Sequence, residues 1–252
     1  MVGGRILMAT DTELINLLVA AQRASQSTVD AALLADIDRA AAYRIQAGVL
    51  SALGDTAALI KTAVQPDGVG IAAPIFASRT GQSGDFSLSR ATVTGLEVEV
   101  GLVLGSDLSV ETANADEAAI IEAIDHYFVG IEVCGTRFAD RKLAGVQAGL
   151  ADNMSSYGYV INPTERDTGA DIDSFDVQLS LDGVQLHSGP AKHSFGTVLN
   201  SFVRYAKAQV PAYPLKAGTI ITTGSLCGLV PVSGTGRVKA VLGSHTVEFT
   251  LT

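Results

Sequence analysis

Residues 95–104, Gly-Leu-Glu-Val-Glu-Val-Gly-Leu-Val-Leu, alternate too strictly for a helix and read as a β-strand. Leu96, Val98, Val100, Leu102 and Leu104 point one way; Glu97, Glu99, Gly101 and Val103 point the other. Two carboxylates therefore share a face, with Cα atoms about 6.6–7 Å apart. A half-exposed strand normally stays polar along its outer face. This one continues with Gly101 and Val103, which predicts a partly enclosed space on the acidic side. Like charges there repel unless a proton or a cation compensates them. A hard divalent cation such as Mg²⁺ takes oxygen ligands, often only one or two of them carboxylates. Most Glu-x-Glu pairs on strands are solvated faces, so a metal reading needs a third ligand, a pocket and a proton-transfer group.

A second alternating stretch, 129–135, supplies the third carboxylate if the two strands meet. Val129, Ile131 and Val133 face one way, and Gly130, Glu132 and Cys134 the other. The proton-transfer candidate is Lys61, in the otherwise apolar strand predicted over 57–64. A lysine in such a strand is commonly an edge residue whose head reaches water. The alternative places it at the wall of a pocket, carrying a proton or holding an anion.

Composition narrows the field. The net charge of −9 and pI near 4.8 lack the basic footprint that nucleic acid requires. No apolar run reaches the ~18–20 residues needed to span a membrane. Arg5 is not followed by an apolar segment with a small-residue cleavage site, so the expected location is the cytoplasm. Cys134 and Cys227 suit a reducing compartment and make no metal-binding pair by spacing; each reads as a small buried hydrophobe.

Residues 1–56 read as a helical region and 57–252 as a β-rich core, together one integrated domain. Helices are expected over 11–24, capped at Thr10, Asp11 or Thr12, and from Ser27 or Thr28 to Leu53, closed by Gly54. Tyr43 and Gln46 share a face of the second, read as an amphipathic aromatic and a surface polar. Residues 65–84 read as a loop around the apolar piece 74–77, and 114–128 as a helix capped by Asn114. The β-rich remainder has hairpins across Asp182-Gly183 and Gly243-Ser244, a helix over 195–208 and a strand over 219–223. A polar cluster, Asp152-Asn153-Met154-Ser155-Ser156, precedes the strand 157–161. A tight turn, Gly224-Ser225-Leu226-Cys227-Gly228, follows 219–223.

Several of these pieces, in this order, resemble the hydratase/decarboxylase branch of the fumarylacetoacetate hydrolase superfamily. They are Ala42-Tyr43-Arg44-Ile45-Gln46, the strand with Lys61, Leu96-Glu97-Val98-Glu99-Val100, Ala123-Ile124-Asp125 leading to Ile131-Glu132-Val133, Ala151-Asp152-Asn153 with Ser155 and Ser156, and Thr223-Gly224-Ser225-Leu226. The resemblance implies a mixed α/β fold with a rolled, mostly β core and helices at the N-terminal side. It also implies Mg²⁺ or Mn²⁺ held by Glu97, Glu99 and Glu132, with Lys61 as the catalytic lysine. The substrate side is implied at Asp152, Ser155, Ser225 and Leu226, and Arg137 is a candidate for a distal carboxylate, weighed against a surface arginine.

Three departures stand out: Ile60-Lys61-Thr62-Ala63 around the lysine, Ser78 where the family often has an acid, and Gly135-Thr136-Arg137 after the third glutamate. The activity implied is a metal-dependent lyase on a small unsaturated 2-oxo or 2-hydroxy acid, hydration of the 2-hydroxypenta-2,4-dienoate type being favoured. Decarboxylation of the 4-oxalocrotonate type, acylpyruvate C–C hydrolysis and a non-catalytic paralogue are the alternatives. The absence of histidine before His126 weighs against the hydrolase, which uses an early histidine. The expected assembly is a homo-oligomer, or a complex with a paralogous enzyme.

Overall fold

The computed structural model describes residues 9–162 and 174–252; the N-terminal residues read for a targeting segment lie outside them. The chain forms two compact units. One comprises the described residues up to Asp55 with Thr136–Ser155; the other comprises Thr56–Gly135 and the described part of Ser156–Thr252. The helical unit thus takes in a segment from beyond the expected 1–56 boundary.

In the helical unit, Asp11–Ala24 opens on a reciprocal cap in which Thr10 and Glu13 satisfy each other's backbone N–H groups. The long second helix expected from 27 or 28 is instead a short 3₁₀ turn, Ala31–Leu34, and a helix, Arg39–Leu53. The break has a local cause: the Asp30 and Asp38 carboxylates accept from the Ala32 and Ala41 N–H groups, so each aspartate starts a new helix. Gly54 ends the second helix in the left-handed region, φ +69°. Gln46 is not a surface polar. It is fully buried and donates to the Leu150 carbonyl at 2.8 Å.

The β unit is built on an eight-stranded sheet. Its order is Gly70–Phe76, Ala57–Val64, Ile220–Ser225, Val93–Leu104, Ile124–Gly135, Ser156–Ile161 and Thr80–Gln82, with Val230–Pro231 paired beside Val93–Leu104. A five-stranded sheet follows the order Ser87–Leu88, His245–Leu251, Gly236–Leu242, Asp176–Leu181, Val184–Pro190. The helix Val198–Ala206 packs on the first sheet; there Ser201 shares a hydrogen bond with Thr62 and donates to the Thr223 carbonyl.

Two expected elements differ. Much of the 65–84 loop is the strand Gly70–Phe76, antiparallel to Ala57–Val64. The Asp67 carboxylate accepts from the Val69 N–H and Gly68 adopts φ +83°, which turns the chain back into a hairpin. The expected helix 114–128 is two short helices, Val110–Ala115 and Glu117–Glu122, capped by Ser109 and Asp116. Asn114 lies inside the first of them. From Ile124 the chain is strand, because the 12-residue strand Val93–Leu104 offers a partner along that length.

Candidate metal centre

The register of four neighbouring strands assembles the centre. Glu97 pairs directly with Glu132, and Glu99 with Gly130, across the two long strands. On one side Thr222 pairs with Gly101 and Lys61 with Thr222; on the other Tyr159 pairs with Glu132. Paired residues point to the same face of a sheet, so Lys61, Thr222, Glu97, Glu99, Glu132 and Tyr159 all project one way. Lys61 Nζ lies 2.7 Å from Glu132 Oε2 and 3.7 Å from Glu97 Oε2. Glu99 and Glu132 are fully buried and Lys61 nearly so.

The same face turns apolar away from the acids. Leu59, Ile75, Phe128 and Tyr159 form a buried cluster with Val103, Ile161 and Ile220 against it. The two inward glycines make room for its rings. A Cβ on Gly101 would lie 2.2 Å from Phe128 Cζ, and one on Gly130 would lie 2.5 Å from the Tyr159 hydroxyl. Tyr159 thereby reaches across Gly130 to Thr222, where the hydroxyls are 3.0 Å apart. The Thr222 hydroxyl donates to Glu99 Oε2. With that proton committed, the Tyr159 O–H is the donor to Thr222. Glu99 Oε1 is buried and has no hydrogen-bond partner among the described residues.

The electrostatics follow from burial. Desolvation, and then the neighbouring Glu132 carboxylate, push Glu99 well above the usual carboxylate range, against the opposing pull of Lys61. Burial also raises Glu132, partly offset by the Lys61 ammonium. Desolvation alone would lower Lys61, but Glu132, Glu97 and Glu99 outweigh it and hold the ammonium well above its ordinary value. Tyr159 is raised well above the usual phenol range by burial and by Glu99, so it remains a donor.

Two carboxylates thus flank one ammonium in a desolvated space, and Glu99 is near enough for its charge to act on it. Full ionisation leaves an excess of negative charge that burial penalises steeply. Glu97 and Glu132 bring carboxylate oxygens within 4.8 Å of each other and of Cys134 Sγ, and Glu99 Oε1 is a further oxygen acceptor on the same face. The carboxylate oxygens fit a hard divalent cation, which would supply the missing positive charge.

The other candidates fall in two places. In the β unit Ser225 pairs with Glu99, but its hydroxyl serves the turn, accepting from the Cys227 N–H and donating to the Gly228 carbonyl. Leu226 is fully buried and its N–H donates to the Val98 carbonyl at 2.8 Å. Arg137, Asp152 and Ser155 belong to the helical unit. Arg137 is buried rather than at the surface, and its Nε donates to Asp152 Oδ1. Asp152 Oδ2 also accepts from the Thr136 hydroxyl at 2.8 Å and from the Arg137 N–H at 3.1 Å. The Ser155 hydroxyl accepts from Arg141 Nε at 2.8 Å. Asn153, Met154 and Ser155 follow one another at φ +50°, +52° and +64°, a strained run. Ser78 is exposed in the 3₁₀ turn Ala77–Arg79.

Thr222, Tyr159 and Cys134 were not among the candidates. Cys134 already shares the face of Glu132 by alternation and reads as a small buried hydrophobe; Thr222 and Tyr159 join the inward-facing set only once the strands are paired. Pairing itself is not readable from one strand's pattern.

The chain has known relatives. The fumarylacetoacetate (FAA) hydrolase C-terminal family model matches residues 62–251, and the chain belongs to that family. More particularly, it is 31% identical over 165 residues to a 2-keto-4-pentenoate hydratase of Paraburkholderia xenovorans, covering 61% of this chain and 60% of that one. A 2-keto-4-pentenoate hydratase of Burkholderia vietnamiensis is 32% identical over 162 residues, covering 62% and 60%. The matched region therefore spans about 60% of the length of these curated relatives. Among solved structures, 4-oxalocrotonate decarboxylase of Pseudomonas putida G7, complexed with magnesium and adipate, superposes with TM-score 0.78. That match has 18% identity and covers 97% of this chain and 99% of the other. At that identity the likeness establishes the fold, a mixed α/β structure of the FAA hydrolase type with N-terminal helices.

Proposed function

We propose that this chain is a divalent-metal-dependent lyase acting on a small unsaturated 2-oxo or 2-hydroxy acid, with hydration of 2-hydroxypenta-2,4-dienoate as its reaction. The observation that carries the reading is the buried, under-compensated carboxylate cluster with its unpartnered Glu99 Oε1. Glu97, Glu99 and Glu132 are the residues that would hold Mg²⁺ or Mn²⁺. When bound, such a cation acts as a Lewis acid toward the oxygens of a 2-oxo acid and stabilises negative charge developing at C2. Lys61 contributes an ammonium whose charge is secured by its carboxylate neighbours, suited to hold a substrate carboxylate. The apolar cluster of Leu59, Ile75 and Phe128 keeps the surrounding dielectric low, which strengthens each of these charges. The names of the curated relatives favour hydration over decarboxylation.

The test is an ultraviolet assay with 2-hydroxypenta-2,4-dienoate and with 4-oxalocrotonate, each with Mg²⁺ and with a chelator. Mg²⁺-dependent loss of the dienoate supports the proposal. Turnover of 4-oxalocrotonate alone reassigns the reaction to decarboxylation. Inactivity on both substrates, with Mg²⁺ bound, overturns this substrate assignment.

A further inference from the structure

The carboxylate cluster has a fourth donor that hard-cation sites do not need. Cys134 follows Glu132 by two positions on the same strand, so both side chains project from one face. Its strand partner is Gly95, two residues before Glu97, which sets the thiol diagonally across from that carboxylate. The Sγ atom lies within 4.8 Å of a carboxylate oxygen of Glu97 and of Glu132, and those two oxygens lie within the same distance of each other. Cys134 is buried and free of any disulfide. An independent observation points to a ligand on this face: the fully buried Glu99 Oε1 has no hydrogen-bond partner among the described residues. Burial, and then the neighbouring Glu132 and Glu97 carboxylates, raise the Cys134 thiol well above its ordinary value, so the metal-free sulfur carries its proton.

We infer that Cys134 is a metal-ligating residue, so that this centre takes thiophilic first-row or group-12 cations, such as Co²⁺, Zn²⁺ or Cd²⁺, through mixed sulfur and oxygen ligation. The inference rests on the reading of Glu97, Glu99 and Glu132 as the metal centre, and extends it to the choice of metal. A thiol is a poor ligand for Mg²⁺, whereas a thiolate selects softer cations. Binding replaces the S–H bond with an S–metal bond, and the proton leaves to solvent. Glu97 and Glu132 remain oxygen donors in either case, so Mg²⁺ still binds, without the thiol. The chain then has two metal-bound forms that differ in whether sulfur is engaged.

Titration of the metal-free full chain with Co²⁺ tests this, followed by absorption spectroscopy. Sulfur-to-cobalt charge-transfer absorption in the near ultraviolet is expected, present in Cys227→Ser and lost in Cys134→Ser. Calorimetry should show Cd²⁺ affinity falling by at least about ten- to a hundredfold in Cys134→Ser, the loss that even the hydrogen-bonding partners of metal ligands produce when removed, with Mg²⁺ affinity unchanged. Cys134→Ala, and the melting temperature of each metal-free variant, guard against loss of fold. Cobalt binding with d–d bands alone overturns the role of Cys134 and leaves the carboxylate centre standing. Failure of wild type to bind Mg²⁺, Co²⁺ and Cd²⁺ alike overturns both.

Discussion

Two clusters of buried charge in this chain are finished in opposite ways. In the helical unit, Arg137 and Asp152 satisfy each other: the guanidinium also donates to the Asp152 carbonyl at 2.6 Å, and Thr136 and the Arg137 N–H complete the carboxylate. In the β unit, Lys61 is one cation among Glu97, Glu99 and Glu132, and Glu99 Oε1 stays unpartnered. A pair with matched charge and matched hydrogen bonds calls for no further counter-ion. An unmatched cluster calls for one, and that difference, rather than the count of charged residues, separates a structural pair from a candidate centre.

The largest effect expected from this contrast lies in the matched pair. Arg137→Met leaves Asp152 buried without its counter-charge and should cost about 3–5 kcal/mol of stability. Denaturant unfolding with and without Mg²⁺ should show the same loss, because the pair is complete in itself. A loss that Mg²⁺ rescues would assign Arg137 to the centre instead.

The unmatched cluster should respond with the opposite sign. Glu99→Gln removes a carboxylate that burial already disfavours, so the metal-free chain should melt at the same temperature or higher. What it loses is the stabilisation by metal, about 2.7 kcal/mol when Mg²⁺ stands at a hundred times its dissociation constant. Thermal melts across a Mg²⁺ series read this directly. A metal-induced shift equal to that of wild type would remove Glu99 from the ligand set.

Much of the β unit was legible because its signals are local. The alternation of 95–104 gave the acidic face, and Asp182-Gly183 marked a hairpin whose turn residues do take φ +48° and +77°. Where local signals conflicted, tertiary pairing decided. Ile124–Phe128 carries apolar residues compatible with a helix, yet it extends the strand that pairs with Val93–Leu104. Gly70 looked like loop punctuation, but a Cβ there would lie 2.1 Å from the Tyr205 backbone nitrogen, so the glycine marks close approach of a helix to a strand. The same limit applied to the centre. Glu97, Glu99, Glu132 and Lys61 stood out as charges among apolar residues. Thr222 and Tyr159 did not, since a threonine and a tyrosine are ordinary strand residues until the register shows what they face.

That hidden pair offers the smallest and sharpest test. Tyr159 donates to Thr222, and Thr222 to Glu99 Oε2, which fixes one oxygen of the carboxylate and leaves Oε1 unpartnered. Thr222→Val keeps the shape but removes both the acceptor for the buried phenol and the donor to the carboxylate. The expected cost to the metal-free chain is about 1–2 kcal/mol, the scale of a buried hydroxyl left unsatisfied. Thr222→Ser preserves the hydroxyl and should recover Mg²⁺ affinity, measured by calorimetry, even where the lost methyl lowers the melting temperature. Separation of the two readouts in this way identifies Thr222 as a residue that positions Glu99. If valine and serine weaken Mg²⁺ binding equally, packing around the threonine methyl, and not its hydroxyl, governs the centre.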